Sequence, residues 1–370
     1  VKEGSPLPLS LIELYGKDGH NATVCIEYPR FLTLPSPFLT LDHMERTQAM
    51  VFGSFAGDSL ALGVHWIYNV KAIEKRVGRI DGLIAPVVQT FHPNRNAGEF
   101  THYGDQMLLL LEFCAKTCSD RSGTGRVTRG GAGSGQNADA GRSPFDQSGF
   151  LRKWAAYMED YDGYMDHASK DTLAAYRKLP AGKRNEAGDR AGSKMDDLAG
   201  ASRIAPVVYY RRNEPERAVE AARLQAAVTH NEPSVLETSA FFARLALGAL
   251  AGKSPVLTAG ELIGGDFRGG AVEELVRKGL DSAGRDTTET IAEFGQACSV
   301  EKGLPSVMHL IATYEDDVKE ALVASTMAGG DSAARNHAVG MILGGYLGLE
   351  AIPDEWIHGL KARERIEALL

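Results

Sequence analysis

From Met44 onward the chain becomes rich in Ala, Leu, Gly and Met, and its apolar positions recur at helical spacing. The pattern predicts helices over 44–64, 104–118, 150–159, 166–177, 215–229, 234–251, 304–325 and 331–347. In the last of these, Ala334, Ala338, Met341, Ile342 and Gly345 line up as a single stripe. No comparable series of alternating β-branched residues occurs, so the expected fold is all-α, a single multi-helix domain over 44–370.

Three stretches break the pattern. Residues 1–43 mix short apolar runs with prolines, including Pro35 and Pro37, and are read as an N-terminal extension outside the core. The stretches 119–143 and 180–194 are rich in Gly, Ser, Arg and Asn and offer almost nothing to bury. That composition cannot offset the entropy of ordering, so both are expected to be mobile loops. The glycine run in the first lacks the Gly-Lys-Ser/Thr ending that holds phosphate and magnesium in a nucleotide loop, and no strand precedes it.

Composition narrows the function classes. A net charge of −8 argues against a broad nucleic-acid or anionic-membrane footprint, so an anionic ligand would need a local pocket. Cys25, Cys114, Cys118 and Cys298 are too sparse for a disulfide framework and are read as plain thiols in a reducing compartment. With no apolar run of membrane-helix length and no export signal recognised, a cytoplasmic protein is expected.

Four segments place polar groups where an apolar helix would not call for them. In "GSFAGDSLALGVHW", Asp58 and His65 lie two turns apart on one helix face. The alternative is a buried, hydrogen-bonded Asp and a core-edge His. In "GEFTHYGDQMLLLLE", Thr101, His102 and Asp105 precede or open an apolar helix, where electrostatic support of the helix start is a sufficient bland reading of Asp105. In "MAGGDSAARNHAVG", Asp331 is placed as an N-cap. In "DLAGASRIAPVVY" and "AAVTHNEP", Gly200, Ser202 and His230 could line a phosphate, or simply form a turn.

Together and in this order, the segments resemble the ADP-ribosylglycohydrolase family over roughly residues 44 to 362, with "GQACSVEKGLPSVMHLI" and "GLEAIPDEWIHGL" fitting its C-terminal half. "VHWIY" and "FTHYGDQ" resemble the branch of the J-type crystallins. The resemblance implies a compact helical domain in which acidic motifs at two helix starts hold two magnesium ions beneath ADP-ribose. It further implies Thr101, Asp105 and Asp331 as metal holders, with Asp58 and His102 behind them. His65, Asp105 and Asp331 would be acid/base groups, and Gly200, Ser202, His230 and Arg335 would lie on the substrate side.

The sequence departs from the family pattern. Ala333 and Ala334 stand where an Asp and a Thr belong, and His65 replaces a Glu. About half the acidic ligands are gone, so at most one magnesium ion is expected, with Arg335 placing positive charge where the second would sit. The leading expectation is a hydrolase of a glycosidic bond to ADP-ribose or a related nucleotide-ribosyl group. The alternative is a non-catalytic member that binds a nucleotide sugar or has a structural, crystallin-like role.

Overall fold

A computed structural model describes residues 37–88, 91–119 and 143–370. The expected extension over 1–43 and loop over 119–143 fall, apart from their margins, outside these residues. The chain divides into units 1–40 and 41–370, and the helical domain is the second.

Among the described residues there are helices and no strands. They are α1 (Pro37–Leu62), α2 (Val70–Val77), α3 (His102–Ser119), α4 (Gln147–Glu159), α5 (His167–Lys178), α6 (Ala199–Ser202), α7 (Ala205–Arg211), α8 (Pro215–Thr229) and α9 (Pro233–Leu250). Then follow α10 (Pro255–Gly264), α11 (Ala271–Leu280), α12 (Thr287–Phe294), α13 (Val300–Thr313), α14 (Val318–Met327), α15 (Ser332–Leu347), α16 (Asp354–Gly359) and α17 (Arg363–Glu367). Helix starts are set by side-chain caps and first-turn prolines: Asp166 accepts from Ser169 N, Ser254 from Leu257 N, and Pro215, Pro233 and Pro255 open α8, α9 and α10.

Two differences from the periodicity have local causes. The helix expected over 304–325 is two helices, because Asp317 leaves the helical path and caps α14 through Glu320 N. The stretch 180–194 contains a 3₁₀ turn, Ala181–Glu186, with Arg184 donating to the carbonyls of Leu179 and Arg177 and Ala187 and Ala191 buried against α4 and α5.

The middle of the domain is α15, buried from Ser332 to Gly345 and packed against α9, α13 and α14. α1 crosses it where Gly53 meets Gly340. A Cβ on Gly340 would stand 2.1 Å from the Gly53 carbonyl oxygen, so only glycine permits this approach. The crossing brings the C-terminal half of α1 beside the start of α15. A second, smaller apolar cluster joins α3, α4 and α5 around Phe113, Phe150 and Trp154. Fully buried rings such as Phe55, Phe241 and Phe242 each contribute roughly 1.5–3 kcal/mol by leaving water.

Candidate functional site

The polar groups meet where α1 ends and α15 begins. After α1 the backbone turns through Trp66 at φ 62°, a left-handed conformation that is rare for a bulky side chain and costs about 1–3 kcal/mol. Two hydrogen bonds hold it there: Trp66 N donates to Gly330 O (2.9 Å) and Gly330 N to Ile67 O (2.9 Å). Gly329 and Gly330 themselves have φ of 69° and 66°. This clamp carries His65 onto Asp331.

Asp331 is the N-cap of α15 and is buried. Its Oδ1 lies 2.9 Å from His65 Nε2, and Tyr103 Oη stands at the limit of a hydrogen bond, 3.5 Å from Oδ2. Burial would raise this carboxyl, but His65, Arg335 and the Ala334 N–H outweigh it and hold it below the usual range. Since an ionised carboxylate only accepts, His65 Nε2 carries the hydrogen and His65 Nδ1 accepts from His92 Nε2 at 2.8 Å.

Asp58 sits on the adjoining face of α1 with no exposure. It accepts from Thr101 N (2.8 Å) and Thr101 Oγ1 (2.6 Å), and His337 Nε2 lies 3.1 Å away. Its role is to tie α1 to the start of α3. His102, the first residue of α3, is buried with Nε2 3.2 Å from Asp166 Oδ2.

In front of this floor is an open cleft of about 250 Å³ lined by Trp66, Tyr68, Phe91, Tyr103, Tyr164 and Cys298, with Asp166 and Asp197 as its carboxylates. Larger hollows of about 730 and 490 Å³ lie elsewhere, and neither is lined by Tyr103, Asp166 or Asp197. Asp197 is delivered by a strap of backbone hydrogen bonds: Leu198 N donates to Cys298 O (2.7 Å), Val300 N to Asp196 O (2.8 Å) and Asn231 N to Ser193 O (2.7 Å). Burial, then repulsion from Asp331, Asp166 and Asp196, raises the Asp197 carboxyl to about 7 against the pull of Arg203. Asp166 goes the other way: burial is outweighed by His102, by the more distant His230 and by the Ser169 N–H, so it stays ionised. Burial and the charges of Asp331 and Asp197 push the Cys298 thiol up, so it remains protonated.

Other residues singled out in the sequence are placed as follows. Asp105 receives Arg95 (2.7 Å) and Tyr161 (2.6 Å), and burial raises its carboxyl to about 6 against the pull of Arg95. Arg335 is buried and donates to Ser325 O (3.0 Å) and Gly329 O, closing the end of α14. Gly200 and Ser202 are buried in α6, and a Cβ on Gly200 would meet the His230 ring at 2.6 Å. His230 bonds Thr229 through Nδ1 (2.9 Å), its Nε2 is 3.9 Å from Asp197, and burial with Arg203 nearby lowers it to about 3.

The family model for ADP-ribosylglycohydrolase matches residues 39–370. The chain belongs to the ADP-ribosylglycohydrolase family. It is 23% identical over 335 residues to an uncharacterised protein of Archaeoglobus fulgidus, covering 88% of this chain and 94% of that one. In fold it is similar to a solved chain described as an ADP-ribosylglycohydrolase-related protein complex, with a TM-score of 0.65, 20% identity, and 89% and 96% of the two chains covered.

The resemblance implies two magnesium ions and the departures from its motifs leave at most one expected; the side chains of this family member supply a poor oxygen-donor set for either. Magnesium demands oxygen ligands in octahedral array. The Thr101 hydroxyl is spent on Asp58, Asp105 faces Arg95 and Tyr161, and Arg335 is committed to backbone carbonyls. What faces Asp331 is an imidazole, and Ala333 and Ala334 supply no oxygen side chain. His92, Asp166 and Asp197 escape a reading based on helical periodicity. His92 lies between α2 and α3, Asp166 looks like an ordinary N-cap, and Asp197 opens "DLAGASRIAPVVY" just ahead of the small residues that attract attention.

Proposed function

We propose that this chain hydrolyses the glycosidic bond between ADP-ribose, or a related nucleotide-ribosyl group, and its leaving group in the aromatic cleft, without a pair of magnesium ions. The observation that carries this reading is that two carboxyl groups in unlike surroundings, Asp197 and Asp166, line one cleft, where burial and neighbouring acids push Asp197 up to about 7 and His102 keeps Asp166 ionised. Two carboxyl groups whose environments drive them apart suit glycosidic cleavage, where one donates a proton and the other stays charged.

In this mechanism Asp197 protonates the departing atom as its bond to the anomeric carbon breaks. The fixed negative charges of Asp166 and Asp331 stabilise the oxocarbenium-like centre, and water adds to that carbon and loses its proton to solvent or to the Asp197 carboxylate. Phe91, Tyr164 and Trp66 offer faces for a flat base, and stacking of this kind is worth about 1–3 kcal/mol. Cys298 is a free thiol, and a reducing, cytoplasmic setting is part of this proposal. Among the described residues no helix is long and apolar enough to cross a membrane.

The test is chromatographic detection of free ADP-ribose from ADP-ribosyl conjugates with N-linked and O-linked leaving groups. Release is expected from at least one class, and Tyr164→Ala should raise KM by about 5- to 100-fold. Absence of release from both classes together with absence of ADP-ribose binding would contradict the proposal and favour a structural role.

A further inference from the structure

Behind the cleft wall His65, His92 and His102 come together from three places in the chain: the turn after α1, the α2–α3 connection and the first residue of α3. All three are buried, and their nearest nitrogens lie within 4.8 Å of one another. The geometry points to a binding site for one divalent transition ion that prefers nitrogen ligands, with zinc as the type, formed by these three imidazoles. The inference stands apart from the hydrolase reading, since it concerns uptake of an ion and not turnover.

The spacing suits such an ion. Bonds of about 2.0–2.1 Å in tetrahedral array set donor nitrogens about 3.3 Å apart. His65 Nδ1 and His92 Nε2, at 2.8 Å, bracket that value from below, and the 4.8 Å span of the cluster brackets it from above. The ring centroids form a triangle of 5.0, 5.8 and 6.1 Å.

The outward-facing nitrogens supply the second argument. Metal-bound imidazoles nearly always give their other N–H to a carboxylate or carbonyl, which fixes the tautomer and orients the lone pair. His65 Nε2 is hydrogen-bonded to Asp331 (2.9 Å), leaving Nδ1 for the cluster. His102 Nε2 faces Asp166 Oδ2 (3.2 Å), leaving Nδ1 free. His65 thus carries the carboxylate partner that a metal ligand has, and His102 has a carboxylate within ion-pair distance of the corresponding nitrogen, close enough to take its N–H on a small ring rotation.

A purely hydrogen-bonded cluster accounts for less. It explains the His65–His92 contact but leaves both ring nitrogens of His102 without a formed hydrogen bond at 1% exposure. An orphaned buried polar atom costs about 1–3 kcal/mol, which coordination through Nδ1 would remove. The setting is also dry. The Trp66 ring lies 4.4 Å from His65 and 5.3 Å from His102, and Tyr103 packs on His102 at 4.0 Å. Imidazole nitrogens select zinc, cobalt, nickel or copper over magnesium, in line with the misfit of the oxygen-ligand reading.

The test uses the full chain, stripped with chelator and titrated with Co²⁺. One equivalent should be taken up with the strong visible absorption of a low-coordinate nitrogen site. Zn²⁺ should displace it stoichiometrically, and excess Mg²⁺ should not. His92→Gln and His102→Gln, shown folded by thermal melting, should lose this absorption, and Asp331→Asn should weaken Zn²⁺ affinity about 10- to 100-fold. Absence of stoichiometric uptake, or the same spectrum and stoichiometry in both folded histidine variants, would overturn the inference. If the variants do not fold, X-ray absorption of the zinc-loaded wild type decides: imidazole ligation near three supports the site, and fewer than two overturns it.

Discussion

Asp331 and Asp58 are both buried acids, yet they answer differently to substitution. Asn caps helices about as well as Asp and can still accept from His65, so Asp331→Asn should lose only the charge interaction with His65 and Arg335, at about 1–2 kcal/mol in a denaturant titration. Asp58→Ala removes the acceptor of Thr101 N and Oγ1 and the charge beside His337, leaving donors stranded in the core. Its cost should be about 3–5 kcal/mol by the same measurement. The cap at Asp331 was legible in the sequence because Gly-Gly-Asp-Ser is a local signal. The fate of Arg335 was not, since nothing local says that its guanidinium turns back to Ser325 and Gly329. His92 belongs to the same class: its meaning lies in two histidines brought beside it by other elements.

At the level of elements the long apolar helices announce themselves, and α9 and α15 lie within a residue or two of where periodicity puts them. The short helices α10, α11 and α12 do not, because each offers only two or three turns of pattern. Their signals are the caps, such as Asp286 accepting from Glu289 N at the start of α12. The α1–α15 crossing is legible only as glycines on two apolar helices, and the structure gives them their reason. Gly340→Ala drives a methyl into the Gly53 carbonyl, where backbone must move, and should cost about 3 kcal/mol or more in thermal or chemical denaturation. The control is Gly260→Ala in α10, where a Cβ meets nothing within 4 Å. There the variant should gain about 0.5–1 kcal/mol.

For the whole molecule, the all-α class was open to the sequence because periodicity is a property of every long segment. The cleft was not, because its carboxylates take their character from burial and from each other. That character sets the pH response. Asp58, Asp166 and Asp331 have lowered folded values, so their contribution is present above the unfolded value of about 3.9 and is lost as pH falls through the folded ones. Asp197 is raised to about 7, so between about pH 4 and 7 the native state holds a proton that the unfolded state has released, and stability falls as pH rises across that window. Asp197→Asn should therefore gain on the wild type from pH 4 to 7, by on the order of 2–4 kcal/mol in denaturant titrations at the two ends.

The same proton is the one the proposed hydrolysis spends, so the pH dependence of ADP-ribose release tests the account most directly. For the wild type, kcat should fall as pH rises through about 7, as Asp197 loses its proton. Asp197→Asn should be slower by about 10²- to 10⁴-fold at pH 6 and should lack that falling limb. A variant that keeps the wild-type rate and the wild-type pH profile would contradict the account.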